Sequence, residues 1–219
     1  MCPDHNRRAG PERAEASTLL VATTNEAKLR EIRSLLADLP IELATLARWP
    51  DLAPPEETGR TFAENARLKA RYYAAATGLL TVSEDSGLEI DALGGAPGVE
   101  SARFGGTHTS YAEKFALIYE RLRAEPTAPS SARFICALAL AEGGAVLFET
   151  QGTVEGRIAS EPKGEGGFGY DPIFFYPPFE CTLAEAGDRK SAVSHRGAAF
   201  RALRDYLTRP RRLLARPQR

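Results

Sequence analysis

The chain has 219 residues, of which 43% are hydrophobic and 26% are charged, a composition typical of a soluble globular protein with one large domain or two lobes sharing a core. Its formal net charge of −1 excludes attraction to nucleic acid or to an anionic membrane through overall charge, so any anion site must be local. Three widely spaced cysteines, Cys2, Cys136 and Cys181, match neither a disulfide framework nor a zinc motif and favour a cytoplasmic protein, and no apolar run approaches membrane-spanning length.

The N-terminal part of the chain predicts a disordered extension followed by a strand and a helix. Residues 1–17 are polar and lack the apolar core of a secretory signal. A short apolar strand is predicted over residues 18–22, and apolar residues recur at helical spacing over residues 28–36. The joint between these elements consists of Thr23, Thr24, Asn25, Glu26, Ala27 and Lys28. Backbone N–H groups at such a joint bind anions, but this segment by itself favours a capped helix with a solvated lysine.

The next segment predicts a second strand, a proline-rich loop and a helix. The strand covers residues 41–46, the loop residues 48–59, and a capping box at residues 61–64 begins the helix. Glu56 and Glu57 lie just ahead of the helix start. The helix dipole accounts for acids at that position without any function, and a bound metal ion is the functional alternative.

The most informative stretch follows, where an apolar run over residues 79–82 leads into Glu84, Asp85 and Ser86. The run predicts a buried strand, and the acidic pair is expected where that strand ends. Ligands of open α/β sheets bind outside the carboxyl ends of strands, so this position suits chemistry. An acidic turn whose side chains bond the local backbone is an equally good interpretation of the segment alone.

The middle of the chain predicts packing elements rather than chemistry. A capping box at residues 110–113 begins an amphipathic helix, and residues 126–131 are interpreted as a linker. Two apolar runs, residues 133–141 and 145–154, flank Gly143-Gly144 and predict a β-hairpin.

A glycine-rich segment at residues 164–169 matches G-x-G-x-x-G but is not expected to bind a dinucleotide, because it neither follows a strand nor opens a helix. The segment contributes Phe168 and Gly169, and Tyr170 and Asp171 follow directly. Glycines beside two aromatic residues suggest a loop that closes on a flat ligand, and a flexible turn is the alternative. A strand is predicted at residues 173–175.

The last predicted element is a helix over His195–Thr208 with Ser194 as its N-cap. Lys190, His195 and Arg196 gather around its N-terminus, where the helix dipole disfavours cations. This costly arrangement favours an anionic or carbonyl-bearing ligand over simple surface charge. The basic tail, residues 209–219, is assigned no function.

These pieces together suggest metal-assisted hydrolysis of a nucleoside triphosphate. Lys28, Lys190 and Arg196 can bind phosphate oxygens, and Asp85 with Glu57 or its neighbours can bind Mg²⁺, which takes one or two carboxylates plus substrate phosphates. His195 and Arg196 can donate to a base carbonyl, while Phe168 and Tyr170 offer flat surfaces to the base. A P-loop enzyme is disfavoured, because the sequence lacks G-x-x-x-x-G-K-[ST].

In these motifs the chain resembles the inosine/xanthosine triphosphate pyrophosphatases (XTP/dITP diphosphatases). The resemblance covers about Leu19 to Leu207, with motifs in a fixed order. They are Ala22–Lys28; Glu56–Gly59 followed by Phe62-x-x-Asn65-Ala66; Ser83 through Arg103; Gly167–Phe174; and Lys190 through Gly197.

The resemblance implies an α/β fold with an elongated, two-lobed mixed sheet, flanked by helices around a central nucleotide cleft. It implies one such pyrophosphatase domain over residues 18–208 and a homodimer. Asp85 is similar to the family's general base and metal-linked carboxylate, with Glu57 and Glu56 as further metal candidates and Glu84 left open. The nucleotide contacts implied are Thr23 to Lys28, Ser86, Phe168 to Asp171, Lys190, His195 and Arg196.

The activity implied is Mg²⁺-dependent hydrolysis of ITP, dITP and XTP to the monophosphate and pyrophosphate, which cleanses the nucleotide pool. Buried donors that pair with a 6-keto oxygen face an unpaired amino group in adenine, so ATP is expected to be spared. Two alternatives are a pyrophosphatase for pyrimidine or other modified nucleotides, and a nucleotide-binding module without catalysis.

Overall fold

The computed structural model describes residues 18–124 and 130–209, except for the side chain of Ser191. The predicted N-terminal extension (residues 1–17), most of the predicted linker and the tail from residue 210 lie outside the described residues. Among the described residues, no helix combines the length and hydrophobicity that crossing a bilayer requires.

The core of the fold is one mixed seven-stranded sheet in the order β2-β1-β3-β4-β5-β6-β7. Its strands are β1 (Thr18–Val21), β2 (Glu42–Thr45), β3 (Leu80–Ile90), β4 (Ser131–Glu142), β5 (Ala145–Ile158), β6 (Phe174–Tyr176) and β7 (Cys181–Thr182). β1 pairs in parallel with β2 and β3, and the remaining neighbours are antiparallel. The expected α/β class with a mixed sheet is therefore confirmed.

Helices cover both faces of this sheet. They are α1 (Glu26–Leu35), α2 (Phe62–Thr77), α3 (Tyr111–Ala124), α4 (Lys190–Val193) and α5 (His195–Thr208). Side chains of α1 and α5 share a core with Leu138 and Leu140 of β4, whereas α2 packs on Ala137 and Ala139. Because side chains alternate along a strand, β4 presents leucines to one helical layer and alanines to the other. A third core forms around α3 and Phe134.

Local sequence signals account for several boundaries. The hairpin is confirmed: Gly143 and Gly144 have φ values of 54° and 83°, the left-handed backbone that a two-residue turn between strands requires. The prediction for α5 is also confirmed in both bounds, and the Ser194 hydroxyl accepts a hydrogen bond from the Gly197 amide at 3.2 Å.

The prediction that the central strand ends before the acidic pair is wrong. β3 runs on to Ile90, so Glu84 and Asp85 lie in the middle of the strand. The reason lies in the tertiary structure, because β4 pairs with β3 from Thr81 to Ile90. This pairing keeps the polar stretch extended, although its local sequence favours a turn. β1 pairs with β3 only at Leu80–Val82 and then ends, so the acidic pair lies beside the end of β1.

Gly152 of β5 allows α5 to approach the sheet closely. A Cβ atom at this position would lie 2.1 Å from the His195 carbonyl oxygen and 2.9 Å from the Ala199 nitrogen. The first turn of α5, which carries His195 and Arg196, therefore rests directly on the strand backbone. Glycine is required here for space and not for an unusual backbone angle.

We predict that Gly152→Ala destabilises the protein by about 3 kcal/mol, because the methyl group forces the helix backbone away from the sheet. Urea unfolding monitored by circular dichroism measures the change. Gln151→Ala, at the exposed neighbouring position, is the matched control and should shift stability by less than about 0.5 kcal/mol. Equal effects of the two substitutions would contradict this account of the close contact.

Candidate active site

A cleft of about 810 Å³ crosses the sheet where β1 and β2 end and β3 continues. This volume is within the usual range for small-molecule sites. The cleft collects most of the residues selected from the sequence: Thr23, Thr24, Asn25, Glu26, Lys28, Glu57, Asp85, Ser86, Phe168, Gly169, Tyr170, Asp171, Lys190, His195 and Arg196. Ala27 and the exposed Glu56 are not among its lining residues.

The two adjacent acids of β3 point to opposite faces of the sheet, as alternation along a strand requires. Glu84 faces the layer of α1 and α5, and its carboxylate contacts Lys28 and Arg196. Asp85 faces α2, and its carboxylate contacts Asn65 and Lys69. One dipeptide therefore places a carboxylate in each of two different environments.

Glu84 is enclosed by donors. Its Oε1 lies 2.8 Å from the Lys28 ammonium and 3.4 Å from Nη2 of Arg196, and its Oε2 lies 3.4 Å from the Cys136 thiol. Burial alone would raise the pKa of Glu84, but Arg196 and Lys28 lower it far below its usual value. Burial raises the pKa of the Cys136 thiol, so the thiol stays protonated and donates. Both oxygens of Glu84 are thus occupied by protein groups.

Asp85 is held by two neighbours one helical turn apart on α2. Asn65 Nδ2 donates to Oδ2 at 3.1 Å, and the Lys69 ammonium lies 3.4 Å from Oδ1. Asn65 Oδ1 in turn accepts a hydrogen bond from the Gly59 backbone amide at 2.8 Å, which fixes the orientation of the Asn65 side-chain amide. Burial raises the pKa of Asp85 above its ordinary value, with Lys69 opposing the shift and Glu57 adding to it.

Lys69 bridges two of the predicted acids and was missed by the sequence analysis. Its ammonium lies 3.0 Å from Glu57 Oε1 as well as 3.4 Å from Asp85 Oδ1. Burial would lower the pKa of Lys69, but the carboxylates of Asp85 and Glu57 raise it. The i, i+4 spacing of Asn65 and Lys69 was the available signal, because it places both on one face of a helix that starts at a recognisable cap.

The acidic groups do not form a closed metal cage. Within residues 18–124 and 130–209, no three His, Cys, Asp or Glu side chains gather as a metal site. Glu57, Glu84 and Asp85 all line the cleft, but both oxygens of Glu84 are occupied by protein groups, whereas Glu57 and Asp85 share the Lys69 ammonium. Two carboxylates in one cleft match the donor set that Mg²⁺ usually takes, which is one or two carboxylates plus phosphates and water.

The joint between β1 and α1 is partly satisfied by its own side chains. Asn25 caps α1, and its Oδ1 accepts from the amides of Ala27 at 3.0 Å and Lys28 at 3.1 Å. Thr23 Oγ1 accepts from the Asn25 amide at 3.2 Å. The capped-helix interpretation therefore describes the backbone, but Lys28 is not a solvated surface residue, because it pairs with Glu84 inside the cleft.

Both aromatic residues of the glycine-rich loop line the cleft, but Tyr170 also belongs to a core cluster. Phe168 lies beneath two cations, with its ring centroid 4.8 Å from the Lys190 ammonium and 5.4 Å from the Arg196 guanidinium carbon. Tyr170 is buried, and its hydroxyl donates to the Ser101 carbonyl at 2.9 Å. Asp171 fixes the loop by accepting from the Phe168 amide at 2.7 Å and from Lys190 at 2.5 Å.

The first turn of α5 supplies two buried donors. The His195 ring stacks on Phe134 with centroids 4.9 Å apart, and burial lowers the pKa of His195, so the imidazole is neutral. Arg196 donates to Ser86 Oγ at 3.0 Å and to Glu31 Oε2 at 2.7 Å. Among the described residues, His195 Nδ1 and Arg196 Nε have no hydrogen-bond partner, although both atoms are buried. Glu31 is a second residue that the sequence analysis missed.

Comparison with known proteins agrees with this geometry. The Ham1 family profile matches residues 19–206. The chain is 47% identical over 186 residues to a dITP/XTP pyrophosphatase from Exiguobacterium sp., covering 84% of this chain and 94% of the relative. It is 49% identical over 188 residues to a dITP/XTP pyrophosphatase from Thermus thermophilus, covering 84% of this chain and 89% of the relative.

Solved structures show the same architecture. A HAM1 protein from Coxiella burnetii superimposes with a TM-score of 0.83 at 42% identity, covering 89% of this chain and 100% of that one. A nucleoside-triphosphatase, also titled dITP/XTP pyrophosphatase, from Mycobacterium abscessus superimposes with a TM-score of 0.71 at 40% identity, covering 85% and 98%.

We predict that Glu84→Gln destabilises the protein at pH 7 by about 3 kcal/mol or more, because it leaves buried cations without their shared anion. The pKa of Glu84 is lower in the folded protein than its usual 4.5, so the stabilisation is complete above pH 4.5 and is lost as the pH falls toward the lower folded value. Urea unfolding across this pH range should show the gap between variant and wild type narrowing in acid.

The matched control is Glu149→Gln, which breaks the exposed ion pair with Arg67. Water screens that pair, so the unfolding midpoint should hardly move. If Glu84→Gln proved as mild as this control, the enclosed ion pair would not be the stabilising element described here.

Proposed function

The chain belongs to the Ham1 family, and from this premise we propose that it hydrolyses the non-standard purine nucleotides ITP, dITP and XTP to the monophosphate and pyrophosphate. The observation that carries the proposal is Asp85, a buried carboxylate with a raised pKa, oriented by Asn65 and Lys69 in a cleft lined by cations. The names of the related dITP/XTP pyrophosphatases support the same substrates.

The proposed reaction is attack of water on the α-phosphorus. Asp85 accepts the proton as the water oxygen forms its bond to phosphorus, and the bond to the bridging oxygen breaks so that pyrophosphate leaves. A general base works best when its pKa approaches the working pH, and burial moves the pKa of Asp85 in that direction. Asn65 and Lys69 keep the carboxylate in one orientation without closing the cleft above it.

The cations of the cleft are proposed to bind the phosphates. Lys28 and Lys190 are each held by a carboxylate, Glu84 and Asp171, so both ammonium groups are in place before the substrate arrives. Mg²⁺ entering with the triphosphate would be held by Asp85 and Glu57 and would neutralise phosphate charge. Glu56, the further metal candidate implied by the resemblance, is exposed and does not line the cleft, so we do not include it in the proposed metal site.

Base selection is proposed to rest on Arg196. A guanidinium only donates hydrogen bonds, so it pairs with the 6-keto oxygen of hypoxanthine or xanthine and cannot accept from the 6-amino group of adenine. Its guanidinium carbon lies 5.4 Å from the ring centroid of Phe168, whose ring offers a stacking surface for the base. A buried donor that meets the wrong group can discriminate by roughly 10⁴–10⁵.

We also propose a homodimer in the cytoplasm. The family resemblance supports the dimer, and the widely spaced cysteines support a reducing compartment. Light scattering of the purified protein would test the dimer.

We predict that pyrophosphate is released from ITP, dITP and XTP in the presence of Mg²⁺, that ATP is spared, and that chelation of Mg²⁺ abolishes release. A colorimetric pyrophosphate assay across a nucleotide panel measures this. Equal rates on ATP and ITP would overturn the base assignment, and preferred turnover of a pyrimidine nucleotide would favour the first alternative. Binding of ITP without any pyrophosphate would indicate a non-catalytic module.

We predict that Asp85→Asn lowers kcat by roughly 10²–10⁴-fold while the fold survives, because the amide cannot accept the proton. In the wild type, kcat/KM should fall as the pH drops through the raised pKa of Asp85, since protonation removes the base. The residual activity of the variant should lack this acid limb. The control is Asp91→Asn, which should keep wild-type rates. Asp91 is an exposed carboxylate directly after β3, and it pairs with Arg133.

A further inference from the structure

Arg103 is a cation of the cleft that the proposed reaction does not use. Its guanidinium is held by Glu100, with Nε 2.5 Å from Oε2 and Nη2 2.9 Å from Oε1. This pair of contacts is bidentate, which is also the geometry in which a guanidinium binds a phosphate group. A phosphate group can therefore take the place of the Glu100 carboxylate on the same two donors.

The backbone that carries Arg103 is fixed by three other elements. Ser101 Oγ accepts from a backbone amide of β3 at 2.9 Å, and the Ser101 carbonyl accepts from the Tyr170 hydroxyl at 2.9 Å. The Ala102 carbonyl accepts from the Lys114 ammonium of α3 at 2.6 Å. The two residues before Arg103 are thus held in place, so the point from which its side chain extends is fixed.

This segment lies on the Asp85 face of the sheet. A Cβ atom at Gly87 would lie 2.2 Å from Ser101 Oγ, so Ser101 occupies the space that a side chain at position 87 would take. Positions 85 and 87 point to the same face, because side chains alternate along a strand. Arg103 is therefore carried into the cleft beside the candidate base and not on the face of Glu84.

The charges on this face suit an anion that carries a metal ion. Glu57 and Asp85 share a single ammonium group, that of Lys69. Glu100 raises the pKa of Arg103 despite partial burial, and Glu57 and Asp85 add to the rise, so the guanidinium lies within the field of both acids. A magnesium-bound phosphate presents its metal to the acids and its oxygens to the guanidinium.

The partner of Arg103 differs from those of the lysines that are proposed to bind phosphate. Lys28 and Lys190 pair with carboxylates whose side chains are only 1% and 3% exposed. The Glu100 side chain is 53% exposed. An exposed ion pair contributes little free energy, and its carboxylate can turn into water when the cation is taken by another anion. Glu100 is therefore an exchangeable partner.

We propose that Arg103 binds the terminal phosphates of the substrate in place of Glu100, and that Glu100 helps to release the pyrophosphate product by taking the guanidinium back. The inference rests on the proposed function and extends it to product release. When the substrate enters, Arg103 exchanges one bidentate partner for another. After pyrophosphate has formed, Glu100 competes with it for the same donors. Glu100 thus weakens the binding of substrate and product alike.

The test is the Kd of magnesium pyrophosphate, measured by isothermal titration calorimetry on the full chain. Arg103→Gln should raise this Kd about tenfold, because a charge-assisted bidentate contact is lost. Glu100→Gln should lower it about threefold, because an exposed carboxylate is a weak competitor. The KM for ITP, measured by chromatography of the monophosphate, should move in the same two directions. A purely structural pair would weaken binding whichever partner is lost, and that result would overturn the proposal.

A double variant tests the competition. In an Arg103→Gln background, adding Glu100→Gln should leave the Kd unchanged, because the carboxylate has no guanidinium left to compete for. A further threefold tightening would show that Glu100 acts by repelling the anion directly, and it would refute the exchange.

Arg67→Gln and Glu149→Gln are the matched controls. They break an ion pair of similar exposure, and Arg67 lies on α2 between Asn65 and Lys69. Neither residue of this pair lines the cleft, so both variants should keep the Kd within about twofold of the wild type. A tenfold rise in Arg67→Gln would show that the Kd follows overall charge, which would overturn the assignment to Arg103.

The outcome for the wild type separates this inference from the proposed function. If the wild type releases no pyrophosphate from ITP, the proposed function fails. If the wild type releases it and Arg103→Gln leaves the Kd of magnesium pyrophosphate unchanged, only this inference fails.

Discussion

Two adjacent carboxylates in the middle of a buried strand require neutralisation from two sides, because consecutive side chains of a strand point to opposite faces of its sheet. Glu84 meets Lys28 and Arg196 from α1 and α5, while Asp85 meets Asn65 and Lys69 from α2. An unpaired buried charge would be strongly destabilising, so the helices on both faces must place polar or cationic side chains opposite the two carboxylates of β3. The arrangement of this region follows from that requirement.

The same chemical group acquires opposite properties on the two faces. The pKa of Glu84 is lowered, because two cations outweigh the effect of burial, and its oxygens are occupied. The pKa of Asp85 is raised, because a single shared lysine does not offset burial and the nearby Glu57. The first carboxylate is suited to a fixed structural charge and the second to the exchange of a proton. Environment, not residue type, assigns the two roles.

Close packing of α5 links this charge arrangement to the cleft. Gly152 lets the helix backbone rest on β5, which brings the first turn of α5 within reach of β3. Arg196 can then contact Ser86 and Glu84 while its guanidinium lies above Phe168. Side chains of β3 and α5 that line the cleft are thereby held on regular elements, which supports precise orientation.

The sequence by itself determined the features that depend on neighbours in the chain. The cap and both ends of α5, the glycine turn after β4 and many of the residues that line the cleft could be predicted, because capping, turn geometry and ordered motifs are local signals. Only the tertiary structure decided that β3 continues through Glu84 and Asp85, since pairing with β4 overrides local turn propensity. It also decided the partners of Lys69 and Glu31, because one lies 16 residues from Asp85 and the other 165 residues from Arg196. Charge partners so distant in sequence are chosen by how helices pack on a sheet, and no local pattern records that choice.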